Sequence, residues 1–161
     1  MAAGATYEPI ATQTASGSTT SISFTSIPST YTDLIVVIRV LGSAADFDLR
    51  INNDSGSNYS VTRIYGDGSS AASNRATSQT AIQMTLGGAN PGVNILQFNN
   101  YSNTTTNKTM LQRLNIPGGY VGAFVGLYRS TSAINRLDFI AQSGNNIQAN
   151  STYTLYGIAA A

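Results

Sequence analysis

Apolar and polar residues alternate with a period of two along most of the chain, and no stretch of ten or more residues keeps helical spacing. Ile22 and Phe24 alternate with serine and threonine, which predicts a strand with one buried and one solvated face. Turns rich in glycine, asparagine and serine separate such segments. The predicted strands are 19–25, 34–41, 47–52, 59–65, 81–86, 93–99, 109–116, 120–129, 133–141 and 152–158.

About ten strands at this spacing predict an all-β fold, an antiparallel β-sandwich resembling a jelly roll with almost no helix. The chain of 161 residues is long enough for one domain with a two-layer core. Residues 1–18 are small and polar and include Pro9, so we expect a flexible or partner-clasping N-terminal arm before a sandwich domain at 19–161.

Two connections are predicted in more detail. Residues 53–58 are expected to form a hairpin turn that joins strand 47–52 to strand 59–65, with Gly56 at positive φ. Residues 67–79 lack any periodicity, which predicts a long loop that makes contacts.

The composition excludes several function classes. Histidine and cysteine are absent, so the usual acid–base switch and soft nucleophile are missing. Charged residues make up 9% of the chain and the net charge is +1, which does not favour nucleic acid binding. Neither a secretory signal nor an apolar run of membrane-spanning length is found, so we expect a protein made in a cytoplasm without a membrane partner.

Asp46 and Asp48 are the strongest candidates for chemistry. They share one predicted strand face about 7 Å apart, which is compatible with a glycosidase pair or a calcium site. Arg50 follows them in a solvated alternation that does not raise a carboxyl pKa, and no residue series matches a calcium loop. We therefore predict no enzyme, and no catalytic, metal-binding or cofactor-binding residue.

Two segments carry more apolar strand surface than one sandwich core needs. Leu34–Leu41 is apolar at both parities except at Arg39, and the strand near Gly122 and Gly126 has aromatic residues on one face and aliphatic residues on the other. This excess predicts an oligomer interface, although packing of the aromatics over the glycines in the core is the simpler alternative. The predicted interface residues are Tyr120, Phe124, Tyr128, Val37, Arg39 and Leu41.

Several segments in order resemble small virion proteins of tailed bacteriophages, especially the capsid decoration (cement) proteins of cyanophages. The resembling segments are 21–24, 27–34, 51–60, 63–70, 127–135 and 154–158. The resemblance implies a jelly-roll homotrimer on the outer surface of the capsid that bridges major capsid protein subunits, and it offers no catalytic motif. Similar modules in tail fibres leave a lectin-like alternative open, in which tyrosine and asparagine on loops such as 67–79 bind host-surface glycans.

Overall fold

The computed structural model describes residues 6–41, 46–86, 91–119, 121–142 and 144–159. These residues form twelve β-strands and no helix, and therefore include no helix that could cross a membrane. The strands are β1 (Tyr7–Thr14), β2 (Ser21–Phe24), β3 (Asp33–Val40), β4 (Asp46–Ile51), β5 (Tyr59–Gly66), β6 (Ala71–Gln79), β7 (Ile82–Thr85), β8 (Gly92–Asn99), β9 (Lys108–Asn115), β10 (Val121–Tyr128), β11 (Leu137–Ala141) and β12 (Thr152–Ile158).

The strands form two antiparallel sheets. The large sheet has eight strands in the order β1-β12-β3-β8-β9-β10-β5-β6, and the small sheet has four in the order β2-β11-β4-β7. This arrangement confirms the all-β fold and is consistent with the predicted jelly-roll-like β-sandwich.

The core lies between the two sheets because alternate side chains of each strand point inward. β9 shows this most clearly, since buried and exposed residues alternate along its whole length. The rings of Phe139 on β11 and Tyr153 on β12 lie 5.2 Å apart and join the two layers. Both sheets therefore share one hydrophobic core.

Two segments without a predicted strand form the edges of the large sheet. Residues 7–14, expected to be an arm, pair with β12 as β1, and residues 71–79, expected to be a loop, pair with β5 as β6. All of their side chains are exposed or half-buried, because little of the small sheet covers them. Without a buried face there is no apolar alternation, which is why the sequence pattern missed them.

The prediction of a hairpin at residues 53–58 is wrong. β4 belongs to the small sheet and β5 to the large one, so this segment crosses between layers. Positive φ occurs at Asn52 and Asn53, at 55° and 56°, and not at Gly56. The Asn52 side chain accepts the N–H of Asn135 at 2.9 Å and donates to the carbonyl of Ala133 at 2.8 Å, which holds this conformation.

Candidate interaction surface

The large sheet has an outer face, formed by the side chains that point away from the small sheet. Among the described residues, six large apolar side chains are exposed, and strand register places all six on this face. They are Tyr7, Ile64, Val93, Leu111, Val121 and Val125. Scattered exposed apolar residues are ordinary on a protein surface, but their concentration on one face marks a candidate contact surface.

One part of the outer face is a shallow groove of about 730 Å³ around Arg113. Cross-strand pairing links Ile95 to Arg113, Arg113 to Ala123, and Ala123 to Ile64, so these four side chains form a row across β8, β9, β10 and β5. We call this region the Arg113 groove, defined by Ile64, Val93, Ile95, Arg113, Val121 and Ala123. It offers apolar walls and one exposed cation.

A second part of the outer face lies at the opposite edge, on β1, β12 and β3. The rings of Tyr7 and Tyr156 meet edge to face at 6.4 Å, and Ile158 pairs with both Tyr7 and Asp33. We call this group of four residues the aromatic corner. The Asp33 carboxylate accepts the N–H of Asn100 through Oδ1 at 2.7 Å, so the corner combines exposed aromatic surface with one anion.

The outer face of the small sheet has a different chemistry. Asp138 accepts hydrogen bonds from Ser23 at 2.6 Å and from Arg136 at 2.9 Å, and the hydrogen bond to Asp138 raises the pKa of Arg136. This carboxylate thus has charged and polar partners within the chain, and such charge-assisted hydrogen bonds are the stronger kind.

Asp46 and Asp48 lie on this polar face and have separate partners. Thr85 donates to Asp46 at 3.2 Å, and Gln142 donates to Asp48 at 2.7 Å. In the described part of the chain, no three histidine, cysteine, aspartate or glutamate side chains lie close enough to hold a metal ion. The geometry gives neither carboxylate a distinct role in catalysis.

The structure corrects the expected contact face of β10. Phe124 and Tyr128 are 1% and 3% exposed, and the Tyr128 ring stacks on Tyr59 at 4.8 Å, so both side chains belong to the core. Val121 and Val125 on the other side of the strand are 60% and 49% exposed. The accessible face of β10 is therefore aliphatic. The third predicted aromatic residue, Tyr120, lies outside the described residues.

The predicted contact residues at and after β3 are partly accessible. Val37 is half-buried and Arg39 is exposed, both on the outer face of the large sheet. Leu41 follows the strand and is half-buried, and its N–H donates to Ser151 at 2.9 Å. Ile35 on the same face is buried, so β3 contributes less accessible apolar surface than its sequence suggests.

A few polar side chains occupy the core, which the sequence pattern did not reveal. Lys108, the single lysine, is buried and donates to the carbonyls of Thr106 at 2.7 Å and Thr131 at 3.1 Å. Burial lowers its pKa. Gln112 donates to Asn94 at 3.0 Å, and both are buried on neighbouring strands. Because these groups bond chiefly to the protein's own carbonyl oxygens, we assign them a structural role.

Comparison with protein-family models and with curated protein sequences found no match to the chain. Its function must therefore be inferred from its own surfaces. The described residues offer an apolar outer face with a central cation on one side of the sandwich, and a hydrogen-bonded polar face on the other.

Proposed function

We propose that the chain is a non-catalytic structural protein of a phage virion, which decorates the outer surface of the capsid as a homotrimer and bridges major capsid protein subunits. The observation that carries the proposal is the location of all six exposed large apolar side chains of the described residues on the outer face of the large sheet. The assignment of the protein to the capsid is based on the sequence resemblance.

The size of the outer face supports a protein partner. Eight strands about 4.8 Å apart, each about eight residues long, span roughly 34 by 27 Å, or roughly 900 Å². A stable protein–protein contact buries about 800 Å² on each partner. One large-sheet face is therefore broad enough for such an interface.

The difference between the two outer faces supports a role at a boundary with water. The apolar face is suited to burial against protein, whereas the carboxylates on the outer face of the small sheet accept hydrogen bonds from neighbouring polar side chains. A decoration protein has this requirement, because one side contacts other protein subunits and the other faces the medium. Attachment only to the assembled shell stabilises it by mass action.

Nucleic acid is not part of the proposal. The outer face carries Arg39, Arg75 and Arg113 on three different strands with apolar or neutral side chains between them. Phosphate backbones are bound by denser cation tracks than this.

The glycan-binding alternative depended partly on a loop at residues 67–79. Most of that segment is β6, which contains no aromatic side chain that could stack on a sugar ring. This segment therefore gives the glycan-binding alternative no support.

Light scattering coupled to size-exclusion chromatography tests the oligomeric part of the proposal. We expect three times the chain mass of 16.8 kDa, because association covers the outer face. A monomer at micromolar concentration would contradict it.

Electron cryo-microscopy of virions that contain the chain tests the location. The proposal requires density for the β-sandwich on the outside of the head, seated between capsid subunits. Density on the tail instead would contradict the capsid location and would support the tail-fibre alternative.

A further inference from the structure

The aromatic corner and the Arg113 groove lie at opposite sides of the same outer face and have complementary chemistry. We propose that Tyr7 of one copy docks into the Arg113 groove of the next copy, with Asp33 directed toward Arg113, in a head-to-tail ring of three. This inference rests on the proposed function, because it assigns the contact that would form the trimer.

The groove has the properties that an inserted tyrosine needs. Its volume of about 730 Å³ lies within the range of protein binding pockets, and its apolar walls come from Ile64, Val93 and Val121. Gly66, which pairs with Val121, has no side chain, and Ala71, which pairs with Gly66, has only a methyl group, so this side of the groove stays open. An arginine guanidinium attracts an aromatic ring, and tyrosine and arginine are frequent among residues that dominate binding energy.

Tyr7 has the properties of an anchor. Its side chain is 56% exposed and is the bulkiest of the exposed apolar side chains in the described ranges. Pairing of β1 with β12 holds it in place. A side chain presented by an ordered strand loses little entropy on docking. Pro9 and the bulge between Pro9 and Ala11 disfavour addition of another strand to β1, so contact through side chains is the mode that this edge allows.

The charges favour a head-to-tail contact over a symmetrical one. Arg113 is exposed and forms no salt bridge with any described residue. Two grooves facing each other across a twofold axis would bring Arg113 near its own copy, and like charges repel. Docking of the aromatic corner instead directs the Asp33 carboxylate of one copy toward the Arg113 guanidinium of the next.

A second copy of the chain is the occupant best matched to this surface. A concentration of exposed apolar side chains on one face marks an interaction site, and the aromatic corner and the Arg113 groove of the same chain supply opposite charges. Because the two contact regions differ and occupy separate parts of the outer face, repeated docking closes into a ring when the rotation allows it.

Engineered disulfides test the contact directly, because the chain contains no cysteine. The variant with Asp33→Cys and Arg113→Cys keeps Tyr7 and should form a closed trimer under mild oxidation, visible on a non-reducing gel and lost on reduction. Within one copy the two positions lie two strands apart and are offset by four residues along the strands, or roughly 17 Å, which exceeds the reach of a disulfide. Asp33→Cys combined with Ser21→Cys, on the polar face, is the matched control and should remain uncrosslinked.

Each alternative outcome has a distinct meaning. A trimer by light scattering without the 33–113 crosslink would overturn this inference and leave the proposed function standing. Dimers formed by Val121→Cys alone would show a symmetrical contact and would also overturn it. A monomer would remove both this contact and the trimer of the proposed function.

A measurement without cysteine provides a second test. Tyr7→Ala should raise the dissociation constant of the trimer by about thirtyfold or more, as expected for loss of a dominant aromatic contact. Asp33→Asn keeps the acceptor for Asn100 and should weaken the trimer only a few-fold. An unchanged dissociation constant for Tyr7→Ala would contradict the docking of this side chain.

Discussion

Tyr59 and Tyr153 are both buried tyrosines, but their hydroxyl groups have different surroundings. The Tyr59 hydroxyl accepts the N–H of Ile51 at 3.1 Å and donates toward the carbonyl of Asp54 at 3.0 Å. The Tyr153 hydroxyl has no hydrogen-bond partner within the described part of the chain. Burial raises the pKa of both. One hydroxyl therefore fixes the crossover between the sheets, and the other occupies the core without such a bond.

This difference predicts that replacement of each tyrosine by phenylalanine has a different effect on the free energy of unfolding. Tyr59→Phe should lower the free energy of unfolding by about 1–3 kcal/mol, because it leaves buried backbone groups without a partner. Tyr153→Phe should leave the stability unchanged or raise it, because it removes a buried polar group without breaking a bond. Urea denaturation of the two variants measures both values. Equal destabilisation by the two substitutions would contradict this assignment.

The glycines of β10 show what residue identity can and cannot predict. A Cβ at Gly126 would lie 2.6 Å from the Ile82 side chain, so the small sheet approaches the strand closely at this point. The sequence indicates that something packs against Gly126, but whether it is a partner or the second layer of the same sandwich depends on the topology. The inward orientation of Phe124 and Tyr128 follows from the same packing.

The strands that the sequence pattern missed are β1 and β6, the two edges of the large sheet. The remaining ten were predicted with boundaries within about two residues, except that β11 begins four residues after its predicted start, because each of them buries at least one face. The assignment of β4 and β5 to one hairpin failed for another reason. Alternation predicts that a segment is a strand, but it carries no information about which sheet the strand joins.

The turn between β5 and β6 is held by one carboxylate. Asp67 accepts the backbone N–H groups of Ser70 at 2.7 Å and Ser69 at 2.9 Å, and also their hydroxyl groups. These bonds, with that from the Ser70 backbone the largest cause, lower the pKa of Asp67 to about 2. This local network compensates for the missing core beneath β6, because it fixes the turn from which the strand starts.

A depressed carboxyl pKa predicts the direction of the pH effect. The pKa of Asp67 is lower in the folded chain than the ordinary value near 4, so its contribution is present above about pH 4 and is lost as the pH falls toward about 2. In an NMR titration, the amide signals of Ser69 and Ser70 should shift with a midpoint near 2. Asp67→Ala should abolish this transition. A midpoint near 4 would mean that the carboxylate does not hold the turn.

The whole molecule has two outer faces of different character, and only part of this difference could be predicted. The excess of apolar strand surface is visible in the sequence, and it led to a predicted interface on β3 and β10. Which side of each strand remains accessible depends on where the second sheet lies, and the structure places Val121 and Val125 rather than the aromatics outside. The aromatic corner was not predicted, because β1 has no apolar alternation to reveal it.

A trimer held by this face should depend little on salt or pH. Raising the salt from about 0.1 to 1 M shortens the screening length from about 10 to 3 Å, which weakens the proposed Asp33–Arg113 pair between copies but not apolar burial. An exposed pair contributes about 0.2–1 kcal/mol, so the dissociation constant should rise less than about fivefold. Histidine and cysteine are absent, so the dissociation constant should also be independent of pH from about pH 5 to 8.

Sedimentation of the wild type and of Tyr7→Ala checks the salt dependence, because the weakening caused by the substitution should persist at both salt concentrations. A steep loss of association with salt would show that charge rather than the apolar face holds the copies together.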